Sequence, residues 1–132
     1  MSNLFLDSNI CVYAFDRSDV TKQDKALSLL RGRPWISSQV IIETHLACSR
    51  KLKLPLPVCD ENSLILADIT SVFSIDAKTI HLAIHFKKKY SFSFLDSIIV
   101  ASAFQADCDT IISEDLQRNQ LIEGRLKVVN PF

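Results

Sequence analysis

Short apolar runs alternate with longer helical patterns along almost the whole chain, and this alternation limits the possible folds most strongly. The pattern predicts short strands at residues 3–6, 34–37, 73–75, 109–113 and 125–129. It predicts helices at residues 10–15, 20–31, 39–52, 61–72, 77–90, 94–106 and 115–122. Strands that alternate with helices form a parallel sheet covered by helices on both faces, so the predicted fold class is α/β.

Glycine is scarce, which removes several functions usually found on this kind of sheet. The 132 residues include only two glycines, Gly32 and Gly124. A dinucleotide-binding G-x-G-x-x-G turn, a Walker A loop and a G-x-S-x-G nucleophile elbow each need more glycine in one place. The length predicts one domain over residues 1–132, in which no glycine-rich loop binds phosphate.

The charge balance limits the kinds of binding partner, and the cysteine pattern indicates the cellular compartment. Fifteen Lys and Arg residues balance fifteen Asp and Glu residues, which excludes a generally basic nucleic-acid binder but permits a local basic patch. The four cysteines form no C-x-x-C pair, which favours buried thiols in a reducing compartment. No signal-peptide pattern occurs, and no apolar run reaches the roughly 18 residues that span a bilayer. We therefore expect a cytoplasmic protein without a membrane segment.

Four acidic residues lie where α/β folds form sites. Asp7 and Asp115 each follow a predicted strand, and the carboxyl ends of parallel strands meet in a crevice at one edge of the sheet. Asp96 lies in the first turn of a very apolar helix, and Glu43 shares a helix face with apolar residues. A charged acid on an apolar face costs several kcal/mol unless something compensates it.

Simple structural roles could account for some of these acids. Asp7 or Ser8 could cap the following helix, and Ser113 or Asp115 could cap the next one. Ser93 with Asp96 resembles a capping box. Glu43 lies inside its helix, so its alternative role is a buried pair with Arg or Lys. Capping does not exclude catalysis, and none of these roles explains all four acids.

If the four carboxylates converge, they need protons or a cation to neutralise them. Two carboxylates 4 Å apart repel by roughly 1 kcal/mol in water and about 4 kcal/mol at an effective dielectric of 20. Oxygen ligands without His or Cys favour Mg²⁺ or Mn²⁺. Such an ion can hold a water and polarise a phosphoryl oxygen, so the predicted chemistry is hydrolysis of a phosphodiester.

Three alternatives have different requirements. A phosphoacceptor signalling domain needs a pair of acids after the first strand, which Asp7-Ser8-Asn9 lacks. A haloacid-dehalogenase-like phosphatase needs D-x-D there, and Asn9 replaces the second acid. A catalytically inactive interaction module, whose acids only cap helices, predicts no binding of divalent ions.

Four segments resemble, in order, the motifs of PIN-domain ribonucleases, and in particular VapC-type toxins of toxin–antitoxin pairs. They are NLFLDSNICVYAFD (residues 3–16), SSQVIIETHLA (37–47), YSFSFLDSIIVASAF (90–104) and TIISEDLQ (110–117). The final VNPF is also similar to the end of many such toxins. The resemblance covers essentially the whole chain. It implies a three-layer α/β/α sandwich around a mainly parallel sheet and an endoribonuclease dependent on Mg²⁺ or Mn²⁺.

The resemblance also implies partners. Toxins of this type act on RNA and are commonly homodimers. A cognate antitoxin blocks their acidic pocket.

The resemblance carries over to individual residues. It implies that Asp7, Glu43, Asp96 and Asp115 form the catalytic pocket, with Asn9 and Ser113 in supporting positions. Asp7 and Asp96 are the first candidates for metal ligands. Asp115 is the next candidate for a ligand, and it completes the pocket with Glu43 through direct or water-mediated contact. Glu114 adds a fifth acid, and the sequence leaves open whether Glu114 or Asp115 faces the pocket.

Overall fold

The structure is a computed structural model that describes residues 3–132, so residues 1 and 2 of the predicted domain lie outside the described part. The described strands are β1 (Leu4–Leu6), β2 (Trp35–Ser37), β3 (Ser71–Phe73), β4 (Thr110–Ile112), β5 (Leu121–Ile122) and β6 (Leu126–Val129). The described helices are α1 (Ser8–Ala14), α2 (Val20–Arg31), α3 (Ser38–Arg50), α4 (Leu56–Ile69), α5 (Ala77–Tyr90) and α6 (Phe94–Gln105).

The strands form one sheet in the order β3-β2-β1-β4-β6-β5. Phe5 of β1 pairs in parallel with Trp35 of β2 on one side and with Ile111 of β4 on the other. Only β5, at the edge of the described sheet, is antiparallel to its neighbour. The predicted α/β fold with a mainly parallel sheet is confirmed.

The direction of the connections places the helices in two layers. The chain moves outward from β1 to β2 and β3 through α1–α4, then crosses back to β4 through α5 and α6. Because crossovers between parallel strands are right-handed, this reversal puts α5 and α6 on the opposite face from α1–α4. The chain reverses between β1 and β4, and a crevice opens at the carboxyl ends of these strands.

The core lies between the sheet and these two helical layers. Helix α6 is buried at every residue from Ser97 to Ala103, as its continuous apolar sequence predicts. Phe5 and Ile111 of the sheet and Phe86 of α5 are also fully buried. In residues 3–132, no helix combines the length and the apolar character that a bilayer crossing requires.

The helix predicted at residues 115–122 is wrong. Asn119 donates its backbone N–H to Val128, Val128 donates to Gln120, and the chain then forms β5. Glu123 (φ 52°) and Gly124 (φ 65°) make the tight turn from β5 to β6, a conformation that glycine adopts at little cost. The segment pairs with β6 because that strand otherwise has a free edge, which local sequence patterns do not reveal.

The boundaries of α4 and β3 also differ from the prediction. The helix predicted at residues 61–72 begins earlier, at Leu56, with Pro55 immediately before its first residue and Pro57 in its first turn. The first N–H groups of a helix have no partner within the helix, so proline is tolerated there. The strand predicted at residues 73–75 begins earlier, since Ser71 donates its N–H to the carbonyl of Pro34 and joins β2.

Candidate active site

Asp7 lies at the centre of the candidate site. It follows β1 directly, and its backbone N–H donates to the carbonyl of Ile112 at 3.0 Å, next to the end of β4. Its Oδ1 accepts the N–H of Ser8 at 2.7 Å and so caps α1, as one of the alternative roles predicted. The side chain nevertheless retains Oδ2 for other partners, and the residue is only 4% exposed.

Ser113 connects Asp7 to the loop after β4. Its Oγ donates to Asp7 Oδ2 at 2.7 Å and accepts the N–H groups of Asp115 and Leu116, each at 3.2 Å. Ser113 is fully buried. The hydroxyl therefore fixes both the buried carboxylate and the backbone that carries Asp115.

Asn9 joins the two loops from the α1 side. Its Oδ1 accepts the N–H of Glu114 at 3.2 Å, which turns its Nδ2 toward the carboxylates. Nδ2 donates to Asp115 Oδ2 at 3.0 Å and lies 3.3 Å from Asp7 Oδ2. Asn9 thus places two of the four predicted acids on either side of a single amide group.

Glu43 approaches from the middle of α3, and Asp96 approaches from the first turn of α6. Glu43 Oε2 accepts from Gln39 Nε2 at 3.3 Å, and the same Nε2 donates to the carbonyl of Leu95 at 3.1 Å. Ser93 Oγ accepts the N–H of Asp96 at 3.2 Å and caps α6. Gln39 therefore holds Glu43 beside the turn of α6 that carries Asp96.

The surroundings of Asp7 make its charged form unfavourable. Burial raises the pKa of Asp7 to about 6, the hydrogen bonds from Ser113 and Ser8 oppose this rise, and the charges of Asp96 and Glu43 add to it. Within residues 3–132, none of the four acids forms an ion pair with Lys, Arg or His. The alternative of a buried Arg or Lys partner for Glu43 is therefore wrong for the described residues.

A cleft of about 220 Å³ opens beside this network. Its lining includes the carboxylates of Asp16, Glu43, Glu114 and Asp115, with Lys51 as a cation. Asp7 and Asp96 are outside this lining, and Asp7 is joined to it by Ser8 and Asn9, which line the cleft. The cleft is the opening through which a ligand could reach the network.

Glu114 and Asp115 are held in different ways, although both line the cleft. Glu114 accepts from Lys22 Nζ at 2.7 Å and from the Tyr13 hydroxyl at 2.6 Å. The hydrogen bond from Lys22, and then that from Tyr13, lowers the pKa of Glu114. Asp115 instead belongs to the network of Asp7 through Asn9.

Sequence reasoning did not identify Gln39, Tyr13 or Lys22. Gln39 had a local signal, because it lies four residues before Glu43 on the same helix face. Lys22 had no local signal in the sequence, because it is separated from Glu114 by 92 residues.

The donor set fits a hard divalent cation such as Mg²⁺. Within residues 3–132, no three His, Cys, Asp or Glu side chains form a group that could hold a metal by themselves. Mg²⁺ keeps several waters and usually takes only one or two carboxylates from a protein, so it does not need such a cage. A buried carboxylate with two further acids acting on it and no cationic partner is a suitable environment for such an ion.

Comparison with known proteins supports the same architecture. A chain of a toxin–antitoxin complex from Klebsiella pneumoniae superposes with a TM-score of 0.73 and 18% identity, covering 98% of each chain. A chain of VapBC2 from Rickettsia felis, bound to a promoter DNA fragment, has a TM-score of 0.69 and 19% identity over 96% of this chain and 98% of that one. A sarcin–ricin loop cleaving VapC toxin of Mycobacterium tuberculosis has a TM-score of 0.68 and 16% identity over 82% of this chain and 86% of that one. No curated protein sequence matches significantly.

The fold and the acidic network define an α/β domain with its site at the carboxyl edge of a parallel sheet. The family model of the PIN domain matches residues 4–121, which is most of the chain. The chain belongs to the PIN domain family, and its class is that of PIN-type nucleases.

Proposed function

We propose that this chain is a metal-dependent endoribonuclease, a single PIN domain over residues 1–132 that hydrolyses RNA phosphodiester bonds. The observation that carries the proposal is the grouping of acids around buried Asp7. Asp115 is linked to Asp7 through Asn9, and the charges of Asp96 and Glu43 act on it. Burying a carboxylate near other acids without a cationic partner lowers the stability of the folded protein, and folding alone does not require such an arrangement.

Asp7, Asp96 and Asp115 are the side chains that would hold Mg²⁺ or Mn²⁺, directly or through the waters that the ion keeps. When bound, the ion would supply charge to polarise a phosphoryl oxygen and lower the pKa of a water. Asp7 Oδ2 faces Ser113 and Asn9, which keep the carboxylate in one orientation. Such partners outside the ligand shell tune how strongly a carboxylate binds a cation.

Glu43 has a separate role in this proposal. It lines the cleft, and its partner Gln39 is a neutral amide. A carboxylate with no cationic partner can accept a proton from a water and orient that water toward phosphorus. Glu43 would therefore act on the attacking water from the side of α3.

Basic residues beside the cleft support an RNA substrate. Lys51 lines the acidic cleft, and Arg17 lines a neighbouring cleft of about 500 Å³, with Asp16 common to both. Phosphate groups on either side of a scissile bond need such cations, although the overall charge of the chain is zero. The similar structure described as a sarcin–ricin loop cleaving toxin makes structured RNA the first substrate to test.

We also propose that the chain is the toxin of a type II toxin–antitoxin pair and forms a homodimer. The similar structures described as toxin–antitoxin complexes support this role, since the match covers nearly the whole of this chain. The expected partner is a small antitoxin that covers the cleft and suppresses RNA cleavage.

Asp96→Asn is expected to reduce RNA cleavage at least tenfold, because the amide keeps the shape of the side chain but removes a charge that would bind the cation. The assay follows cleavage of structured RNA in Mn²⁺ and in chelator, with circular dichroism to show that each variant is folded. The matched control is Asp68→Asn, which changes an exposed acid on α4 and should cleave like the wild type.

Full cleavage in chelator would refute the metal dependence. Equal activity of Asp96→Asn and the control would remove Asp96 from the site. An absence of both cleavage and Mn²⁺ binding in the wild type would favour the inactive interaction module.

A further inference from the structure

The ammonium of Lys22 lies over two aromatic rings and donates to two oxygen acceptors. Its Nζ lies 4.7 Å from the centre of the Tyr13 ring and 4.8 Å from that of Phe132, and the two rings pack edge to face at 5.4 Å. The same Nζ donates to Glu114 Oε2 at 2.7 Å and to the Tyr13 hydroxyl at 3.1 Å. Ring faces attract cations, so the rings keep the ammonium at this position.

Glu114 is held at both carboxylate oxygens. Lys22 binds Oε2, and the Tyr13 hydroxyl donates to Oε1 at 2.6 Å. The side chain of Glu114 is 28% exposed and lines the acidic cleft. Without Lys22 this carboxylate would lose its ion-pair partner directly beside Asp115.

Glu114 is also attached to the network of Asp7 through its backbone. Its N–H donates to Asn9 Oδ1, and this bond directs Asn9 Nδ2 toward Asp115. A displacement of Glu114 would therefore disturb the amide that joins Asp115 to Asp7. Helix α2, which carries Lys22, contributes none of the four predicted acids.

We infer that Lys22 is a positioning residue for the acidic pocket. Held over the rings of Tyr13 and Phe132, its ammonium keeps the Glu114 carboxylate away from the residues that would bind the cation, so that Asp115 is the cation ligand in this loop. The inference rests on the proposed function for its catalytic consequence. Its structural consequence, an ordered loop at residues 113–116, holds without any metal.

The first experiment uses metal-free protein and therefore does not depend on the proposed function. Lys22→Met keeps most of the side-chain volume and removes the charge. It should accelerate amide hydrogen exchange at Glu114 and Asp115 about tenfold, since an opening cost lower by about 1.4 kcal/mol corresponds to that factor. Lys25→Met changes an exposed lysine of the same helix and should leave the exchange unchanged. Equal exchange in the two variants would overturn the inference.

The second experiment measures binding of Mn²⁺ alone and the steady-state cleavage of RNA. In Lys22→Met the released Glu114 adds negative charge to the cleft, so Mn²⁺ should bind about threefold tighter or more. The kcat should nevertheless fall about tenfold, because the carboxylates are displaced. Phe132→Ala keeps Lys22 and should shift both values in the same direction by less.

The double variant Lys22→Met/Glu114→Gln separates positioning from other roles. Removing the Glu114 charge should return Mn²⁺ affinity and kcat toward the wild-type values. If Lys22 only packs, or binds RNA phosphate itself, the defect persists in the double variant and the inference is wrong. If the wild type neither binds Mn²⁺ nor cleaves RNA, the proposed function fails, and the exchange data still decide the positioning role.

Discussion

Asp7→Asn is expected to lower RNA cleavage at least about a hundredfold while making the metal-free protein more stable at neutral pH. The loss of activity follows from removing the central carboxylate that would hold the cation. The gain in stability follows from burial, because Asp7 is 4% exposed and has no cationic partner among the described residues. A neutral side chain of the same shape avoids the cost of burying that charge.

The stability effect has a definite pH window. The pKa of Asp7 rises from 3.8 to about 6 on folding, so between these pH values the folded protein holds a proton that the unfolded chain has released. The free energy of unfolding of the wild type therefore falls as pH rises from about 4 to about 6. Above this window the raised pKa of Asp7 corresponds to a cost of about 3 kcal/mol. An amide can accept at only one of the two oxygen positions that now accept hydrogen bonds, which costs about 1 to 3 kcal/mol, so Asp7→Asn should be more stable by up to about 2 kcal/mol.

Urea unfolding in chelator at pH 4, 5 and 7 measures this difference. Mn²⁺ at a hundred times its Kd should stabilise the wild type by about 2.7 kcal/mol and leave Asp7→Asn unchanged. Asp24→Asn, at an exposed position of α2, is the control and should follow the wild type throughout. A lower stability of Asp7→Asn than of the wild type at pH 7 in chelator would contradict the description of Asp7 as an uncompensated buried charge.

Ser113→Ala should be the most damaging substitution among the uncharged residues of the site. It removes the donor to Asp7 Oδ2 and the acceptor for the N–H groups of Asp115 and Leu116. Leaving buried polar groups without partners costs about 1 to 3 kcal/mol, so we expect a loss of stability of this size. Activity and Mn²⁺ affinity should fall about 10- to 100-fold, because Asp7 and the loop of Asp115 lose their common anchor.

Ser102→Ala is the matched control for this substitution. Ser102 is also fully buried, and its Oγ donates to the carbonyl of Ile98 inside α6. That carbonyl also has a partner within the helix, so loss of the Ser102 hydroxyl should lower the free energy of unfolding by less than about 1 kcal/mol. Cleavage and Mn²⁺ affinity measured on both variants separate the two roles. A similar loss of Mn²⁺ affinity in both would show that Ser113 acts only through packing.

The sequence predicted most of the fold because its signals are local. The apolar run of α6 is continuous, so the sequence alone predicts a buried helix that begins at Phe94 and carries Asp96 in its first turn. The segment after Asp115 was predicted wrongly because its conformation depends on β6, which follows it in the chain. The predicted start of α4 is too late because the effect of Pro55 and Pro57 depends on whether they lie in the first turn or the interior of a helix.

Three of the four acids were visible in the sequence by position, since Asp7 and Asp115 follow strands and Asp96 lies in the first turn of a helix, whereas Glu43 was visible as an acid on an apolar helix face. Parallel strands bring such positions to a single edge, so the placement of Asp7 and Asp115 was determined before any contact was known. The tertiary structure alone decided how the charges are held. Asn9 meets Asp115 across 106 residues, and Lys22 meets Glu114 across 92. Hydrogen bonds and ion pairs depend on distances of about 3 Å, and only the folded chain brings such distant residues that close.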